Sequence, residues 1–310
     1  MLKTEALTAL FHFRKKLYDN LGLRQDSLFE LVDALLTNPQ RSTLVRLSLC
    51  PVFRRRWPST CDALADGFVD MPRLRSLFAR TLPESATIEG RPLWVIDGTN
   101  WPRPAARASG QRTWEYRPLP GWPQNGVVPA WAYQWLVGVP DVAGSWVLPL
   151  DVQRRGPTAS SATHVALEQI AGVRETQGRD SARPVVTLDS GYNLETLAKA
   201  DVDADLLVRL AKHRVVYHTA ERYGGRGRPR LHGDAFRLAD EDTHGPPQRS
   251  SQFAHPSYGT YASMCGPNYM WVVPTAPFCV IRVQVERLPN KRLPPNPCGW
   301  RGLVDRCPPT

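Results

Sequence analysis

Over the first ninety residues the apolar positions recur at helical spacing. Leu7, Leu10, Phe11, Leu17 and Leu21 fall near every third or fourth place, which predicts an amphipathic helix. A second helix is predicted through Leu31, Val32, Leu35 and Leu36, opened by Ser27 and Glu30 in the S-x-x-E spacing of a capping box and stopped at Asn38-Pro39. Shorter helical patterns follow at residues 44–49 and 71–82, the latter with Pro72 in its first turn. Residues 1–90 therefore read as a small helical domain.

From residue 91 the period shortens to that of strands rich in β-branched and aromatic residues. Leu93-Trp94-Val95-Ile96 is a compact apolar run ending in Asp97-Gly98. Past a Pro- and Arg-rich loop, residues 131–139 and 145–150 predict two more strands, joined through Pro140, Asp141 and Gly144. A helix carries Val165, Leu167, Ile170 and Val173; a strand at 184–188 ends in Asp189-Ser190-Gly191; a helix through Leu194 and Leu197 leads to a last strand at 205–210. The order β, β, β, α, β, α, β over residues 91–211 predicts an α/β fold, a mixed sheet with helices packed on it. Residues 212–287 turn basic and rich in Gly and Pro, with β-like segments at 269–273 and 278–285, and read as a β-rich insertion. The segment 288–310 holds six prolines without apolar periodicity, so an irregular tail is expected there, neither helix nor strand, on a fold that stops short of completion.

Composition narrows the class. With 42% hydrophobic and 22% charged residues in 310, the chain is neither disordered nor fibrous. No apolar run approaches the ~18 residues of a membrane span, and Lys3, Glu5, Arg14, Lys15 and Lys16 break up the amino-terminal apolar positions. A cytoplasmic protein without membrane attachment is expected. Six cysteines stand far apart with no C-x-x-C, which indicates reduced thiols rather than a disulfide framework or zinc knuckle. The formal net charge is +10, and it is unevenly spread. Residues 1–91 carry 14 basic and 10 acidic side chains, 92–211 carry 11 and 12, and 212–310 carry 14 and 7. A slightly acidic centre between basic flanks suits a protein that holds a cation at its middle and a phosphate backbone at its sides; solvated surface charge is the plainer alternative. The run Arg54-Arg55-Arg56 is open to the same two readings.

The candidate chemistry centres on two aspartates. Asp97 and Asp189 each follow a predicted apolar strand, so two adjacent parallel strands would bring their carboxylates together at strand ends. Such a pair repels itself unless a divalent cation lies between, and an all-oxygen site suits Mg²⁺, with Mn²⁺ as substitute. The alternative is a pair of turn aspartates, because Asp-Gly and Asp-Ser-Gly are common turn sequences. A second candidate is Arg226-Gly227-Arg228-Pro229, which matches the core of an AT-hook, two arginines on an extended backbone along the minor groove of A·T-rich DNA. Together with Lys212, Arg214 and Arg230 it forms a candidate DNA-binding stretch, or else a flexible solvated loop. His213, His218 and His232 have no zinc-ligand spacing, and no Walker loop or G-x-S-x-G elbow occurs. A two-carboxylate glycosidase is disfavoured by the basic flanks.

Several segments in order, Val95-Ile96-Asp97-Gly98-Thr99-Asn100-Trp101-Pro102-Arg103-Pro104, Pro120-Gly121-Trp122, Ser145-Trp146-Val147-Leu148-Pro149-Leu150-Asp151, Val186-Thr187-Leu188-Asp189-Ser190-Gly191-Tyr192 and Tyr223-Gly224-Gly225-Arg226-Gly227-Arg228-Pro229-Arg230, resemble bacterial insertion-sequence DDE transposases over residues 5 to 290. The resemblance implies a ribonuclease-H-like catalytic fold interrupted by a β-rich insertion, and a metal-dependent enzyme that nicks transposon ends and joins them to target DNA. It implies Asp97 and Asp189 as the first two metal-binding carboxylates, double-stranded DNA as partner, and a homo-oligomer assembled on that DNA. The family's third acid is a glutamate on a helix downstream of the insertion. Glu286, in a strand-like run, and Glu195, too near Asp189, do not match it. A truncated or frameshifted product is therefore expected, and a catalytically inactive DNA-binding remnant is the alternative function.

Overall fold

The computed structural model describes residues 2–38, 43–81, 87–88, 90–116, 126–141, 144, 146–178, 180–220, 224–225, 227–247, 249–255, 259–270, 278–285 and 299–304. The chain divides into two compact units, Met1–Pro83 and Glu84–Thr310.

The first unit is helical: α1 (Leu2–Asp19), α2 (Gln25–Thr37), α3 (Leu44–Ser48), α4 (Pro58–Asp66) and α5 (Met71–Thr81). Its apolar stripes meet in two small clusters, Leu31, Ala34, Leu47 and Phe53 in one and Leu21, Leu28 and Ala63 in the other. Gly67 ends α4 where the chain passes close: a Cβ there would lie 2.0 Å from the carbonyl oxygen of Ala63. The capping box predicted at Ser27 and Glu30 does not form. Helix α2 begins two residues earlier, after Arg24 in a left-handed conformation, and Glu30 is buried within it. The Glu30 carboxylate accepts from the backbone N–H and Nε of Arg54, both at 3.1 Å, and also pairs with Arg55. A carboxylate with cationic partners across the fold is held more strongly than one reaching back to a helix terminus.

The second unit is built on one mixed sheet. Its first part comprises β1 (Thr87–Ile88), β2 (Arg91–Pro102), β3 (Thr113–Tyr116), β4 (Val127–Gly138), β5 (Leu148–Arg155), α6 (Ala162–Gln177), β6 (Val185–Leu188), α7 (Leu194–Lys199) and β7 (Asp205–Leu210). Strands β2, β6 and β7 run parallel, and β2, β4, β5 and β3 form an antiparallel wing. The strand order β3-β4-β2-β6-β7 reproduces the β, β, β, α, β, α, β series, with β3 added from the Pro- and Arg-rich stretch. Along β4 burial alternates: Ala130, Ala132, Gln134 and Leu136 are buried, while Trp131, Tyr133, Trp135 and Val137 are open to varying degrees. The buried face receives α6, where Gln134 donates to Gln169 Oε1 at 3.2 Å and Gln169 returns a bond to the Gln134 carbonyl. Trp94, Ile96, Leu136, Leu150, Ile170, Leu197 and Leu206 fill the core, each worth about 1.5–3 kcal/mol when fully buried.

The sheet then continues through β8 (Val215–His218), β9 (Ala235–Arg237), β10 (Arg249–His255), β11 (Gly259–Met270), β12 (Phe278–Val285) and β13 (Gly299–Val304). Two expectations are corrected here. Residues 299–304 form a strand where an irregular segment is expected; the prolines stand at 289–297 and 308–309, leaving Gly-Trp-Arg-Gly-Leu-Val with every amide free to pair. β13 lies antiparallel between β7 and β12, so the β-rich stretch extends the same sheet. The second correction concerns Asp97. It lies inside β2 rather than at its end, because β2 runs on to Pro102 along β4 after its pairing with β6 has finished at Ile96↔Leu188.

Candidate active site

Asp97 and Asp189 each come directly after the last residue pair, Ile96 and Leu188, of the parallel β2–β6 ladder. Neighbouring strands lie ~4.8 Å apart, so the register sets the two aspartates at adjacent backbone positions just past the C-terminal end of the parallel pairing, where open α/β sheets place their sites. Ser190 and Gly191 turn the chain into α7. Asn193 caps that helix, its Oδ1 accepting from the Thr196 N–H at 3.0 Å, and its own N–H donates to Thr163 Oγ1 at 2.9 Å. The loop bearing Asp189 is thereby tied to the start of α6. Asp97 accepts from the N–H of Gly98 at 2.7 Å.

Arg209, Tyr192 and Arg155, none of them singled out by the sequence as a site residue, complete the setting. Arg209 follows Val208, the β7 partner of Leu188, and its guanidinium stands 3.5 Å from Asp189. Tyr192 is buried, and burial together with the negative fields of Asp97 and Asp189 holds its phenol well above the ordinary 10.0, outweighing the opposite pull of Arg155. Arg155 bridges to Glu115 at 3.5 Å. A shallow pocket beside Asp189 is lined by Ser190, Tyr192, Leu194, Arg209 and Arg214, which puts two guanidinium-bearing residues on its wall.

The two carboxylates fit a hard divalent cation. Both offer oxygen donors, and both are exposed, so water can fill the remaining coordination positions. Among the described residues no group of three or more His, Cys, Asp or Glu side chains converges. Glu195 pairs with Lys199 on α7, and Glu286 lies outside the described residues.

The candidate DNA-binding residues fall in two stretches of the chain. Lys212 is exposed and Arg214 half-buried at the pocket, next to the end of β7. Arg228 and Arg230 are exposed in an irregular stretch after Gly227, whose φ of 110° suits glycine alone, and Arg226 lies outside the described residues. The histidines pack as rings: His232 against Tyr217 with centroids 4.0 Å apart, and His218 edge-on to Phe236. Cys50, Cys61 and Cys279 are free thiols. No helix among the described residues is long and apolar enough to cross a membrane.

A mixed sheet of this order with helices against it has the ribonuclease-H-like arrangement. The model of one such family, the DDE superfamily endonucleases, matches residues 16–260, and the chain belongs to that family. A search of curated proteins returned no match. Family membership makes DNA the substrate and a divalent metal the general requirement of the chemistry.

Proposed function

We propose that the protein is a transposase that acts at transposon ends, with Asp97 and Asp189 as its metal-holding carboxylates. The observation that carries this reading is the placement of both aspartates one step beyond the Ile96↔Leu188 pair. Bound there, Mg²⁺ or Mn²⁺ would supply charge neutralisation and activation of a water or 3′-hydroxyl oxygen for attack on a phosphodiester. The chain's own part is to hold those two oxygen donors rigidly. Arg209 and Arg214 offer positive charge to a phosphate on the β7 side of the site, and Tyr192, kept un-ionised, adds no further negative charge beside the carboxylates. Lys212, Arg226, Arg228 and Arg230 extend the phosphate contacts along the DNA.

The test is plasmid nicking by the purified chain on DNA carrying its transposon ends, with Mg²⁺ or Mn²⁺, beside Asp97→Asn and Asp189→Asn. Each substitution should lower nicking at least about a hundredfold and weaken Mn²⁺ binding, with the circular dichroism spectrum unchanged. DNA binding without nicking by the unsubstituted chain would favour the second reading, a catalytically inactive DNA-binding remnant. That second reading follows from the sequence, in which neither Glu195 nor Glu286 matches the family's third acid.

A further inference from the structure

The open face of the antiparallel wing carries an unusual side-chain set. Cross-strand register places Asp97 opposite Trp135, Thr99 opposite Tyr133 and Trp101 opposite Trp131. Directly paired residues of antiparallel strands project to the same side, so an aromatic row on β4 runs away from Asp97, on the face turned from α6. The row widens at its far end. Trp114 and Tyr116 of β3 stand opposite Pro129 and Val127, two and four residues before Trp131, and therefore share that face. They are each 73% exposed, and Trp101 is 55% exposed.

Guanidinium groups interleave with the rings. The Arg103 Cζ lies 3.9 Å from the centroid of Trp101 and 4.8 Å from that of Trp131, and the Arg154 Cζ lies 4.9 Å from Trp131. The guanidiniums thus lie over the rings of Trp101 and Trp131, and a guanidinium plane stacks on a base as well as on a ring. Among the described residues no carboxylate forms a salt bridge with Arg103 or Arg154, whereas Arg155, on the opposite face, is paired with Glu115. The face thus combines the exposed rings of Trp114 and Tyr116 with positive charge on Arg103 and Arg154 that no described carboxylate pairs. Alternate residues along a strand repeat at ~6.7 Å, a step that an extended nucleotide chain can follow. A duplex keeps its base faces inside its own stack, so these rings can engage only bases that are unpaired.

We propose that this face, from Trp135 beside Asp97 out to Trp114 and Tyr116, is a stacking platform for the single-stranded DNA next to the scissile phosphate. The proposal rests on Asp97 and Asp189 being the cutting site, since that site is what places unpaired strand at the near end of the row. The platform holds unpaired bases on the rings and their phosphates on Arg103 and Arg154.

The test measures equilibrium binding without metal, by fluorescence anisotropy, to three labelled probes of equal length: oligodeoxythymidine, an abasic deoxyribose-phosphate oligomer, and a duplex. The unsubstituted chain should bind oligodeoxythymidine more tightly than the abasic oligomer. Trp114→Ala with Tyr116→Ala, both on exposed side chains, should weaken oligodeoxythymidine binding about tenfold or more and leave abasic binding unchanged. Arg103→Ala should weaken both single-stranded probes and reduce their salt dependence. An equal loss on base-bearing and abasic probes, no loss at all, or loss only of self-association with single-strand binding intact would each overturn the platform. Asp97→Asn with Asp189→Asn should retain the preference for bases. If that double variant keeps it while the unsubstituted chain never nicks its transposon ends, the catalytic reading fails and the platform stands.

Discussion

The guanidinium of Arg209 stands 3.5 Å from the carboxylate of Asp189, on the strand next to it and one residue beyond the last pair of the β6–β7 ladder. Asp97, Asp189 and Arg209 are thus successive in position across three parallel strands, two acids and one base. Arg209 competes with any cation for Asp189 and at the same time offers a seat to phosphate. Arg209→Ala should therefore act with opposite signs on two ligands. Mn²⁺ affinity, read by calorimetry, should rise a few-fold, within the ~1 kcal/mol an exposed ion pair is worth. DNA affinity should fall, with the log–log salt slope reduced by about 0.9.

Tyr192 reports on the same carboxylates through its ionisation. Its phenol is raised first by burial and then by Asp97 and Asp189. The native state therefore holds the phenolic proton more tightly than the unfolded state does. This contribution to stability is fully present below pH 10, the unfolded midpoint, and is lost as pH rises above it towards the folded midpoint. In Asp97→Asn the midpoint should drop, followed by ultraviolet phenolate absorbance, yet stay above the ordinary value because burial is the larger cause. A midpoint that does not move would remove the field of Asp97 from the causes of the raised Tyr192 phenol.

The basic stretch makes its own prediction. Arg226→Ala with Arg228→Ala should reduce DNA affinity and lower the salt slope by about 0.9 for each lost phosphate contact. A larger loss on A·T-rich duplexes than on G·C-rich ones would mark minor-groove insertion. A uniform loss would mark a phosphate clamp.

Glu30→Ala tests the helical unit. The substitution removes the acceptor of the Arg54 N–H and the partner of two guanidiniums. The Arg54 side chain is 80% exposed and regains water, so the cost should be about 2 kcal/mol, visible as a lowered thermal midpoint. Glu30→Gln, which keeps an acceptor oxygen, should recover part of it.

Period and punctuation made much of this fold readable. Residues 205–210 form β7 as the apolar run predicts, and α6 and α7 fall around Val165–Val173 and Leu194–Leu197 as their spacing requires. Asp97 and Asp189 stand out because each closes a short apolar run, even though β2 continues beyond the first of them. Arg209 gave no such signal. Its role depends on strand register between β6 and β7, which no local pattern carries. The same holds for Glu30: its S-x-x-E spacing is genuine, but partners 24 residues away outcompeted the cap. The aromatic row was legible in principle, since Trp131, Tyr133 and Trp135 alternate with period two. What period alone does not tell is that the aromatic side stays open while the small residues Ala130 and Ala132 turn inward under α6.

The strand at residues 299–304 sets an order of events. It is laid between β7 and β12, so on the ribosome β7 emerges long before the neighbour that completes its hydrogen bonding. During that interval residues 206–210, and later 279–283, expose unpaired backbone edges to whatever is nearby, including the same edges on nascent chains of the same polysome. Pairing there is antiparallel and made by backbone groups, so the edge of a second copy can compete with the missing strand. The speed with which translation delivers residues 299–304 thus governs how long those edges stay open to other chains.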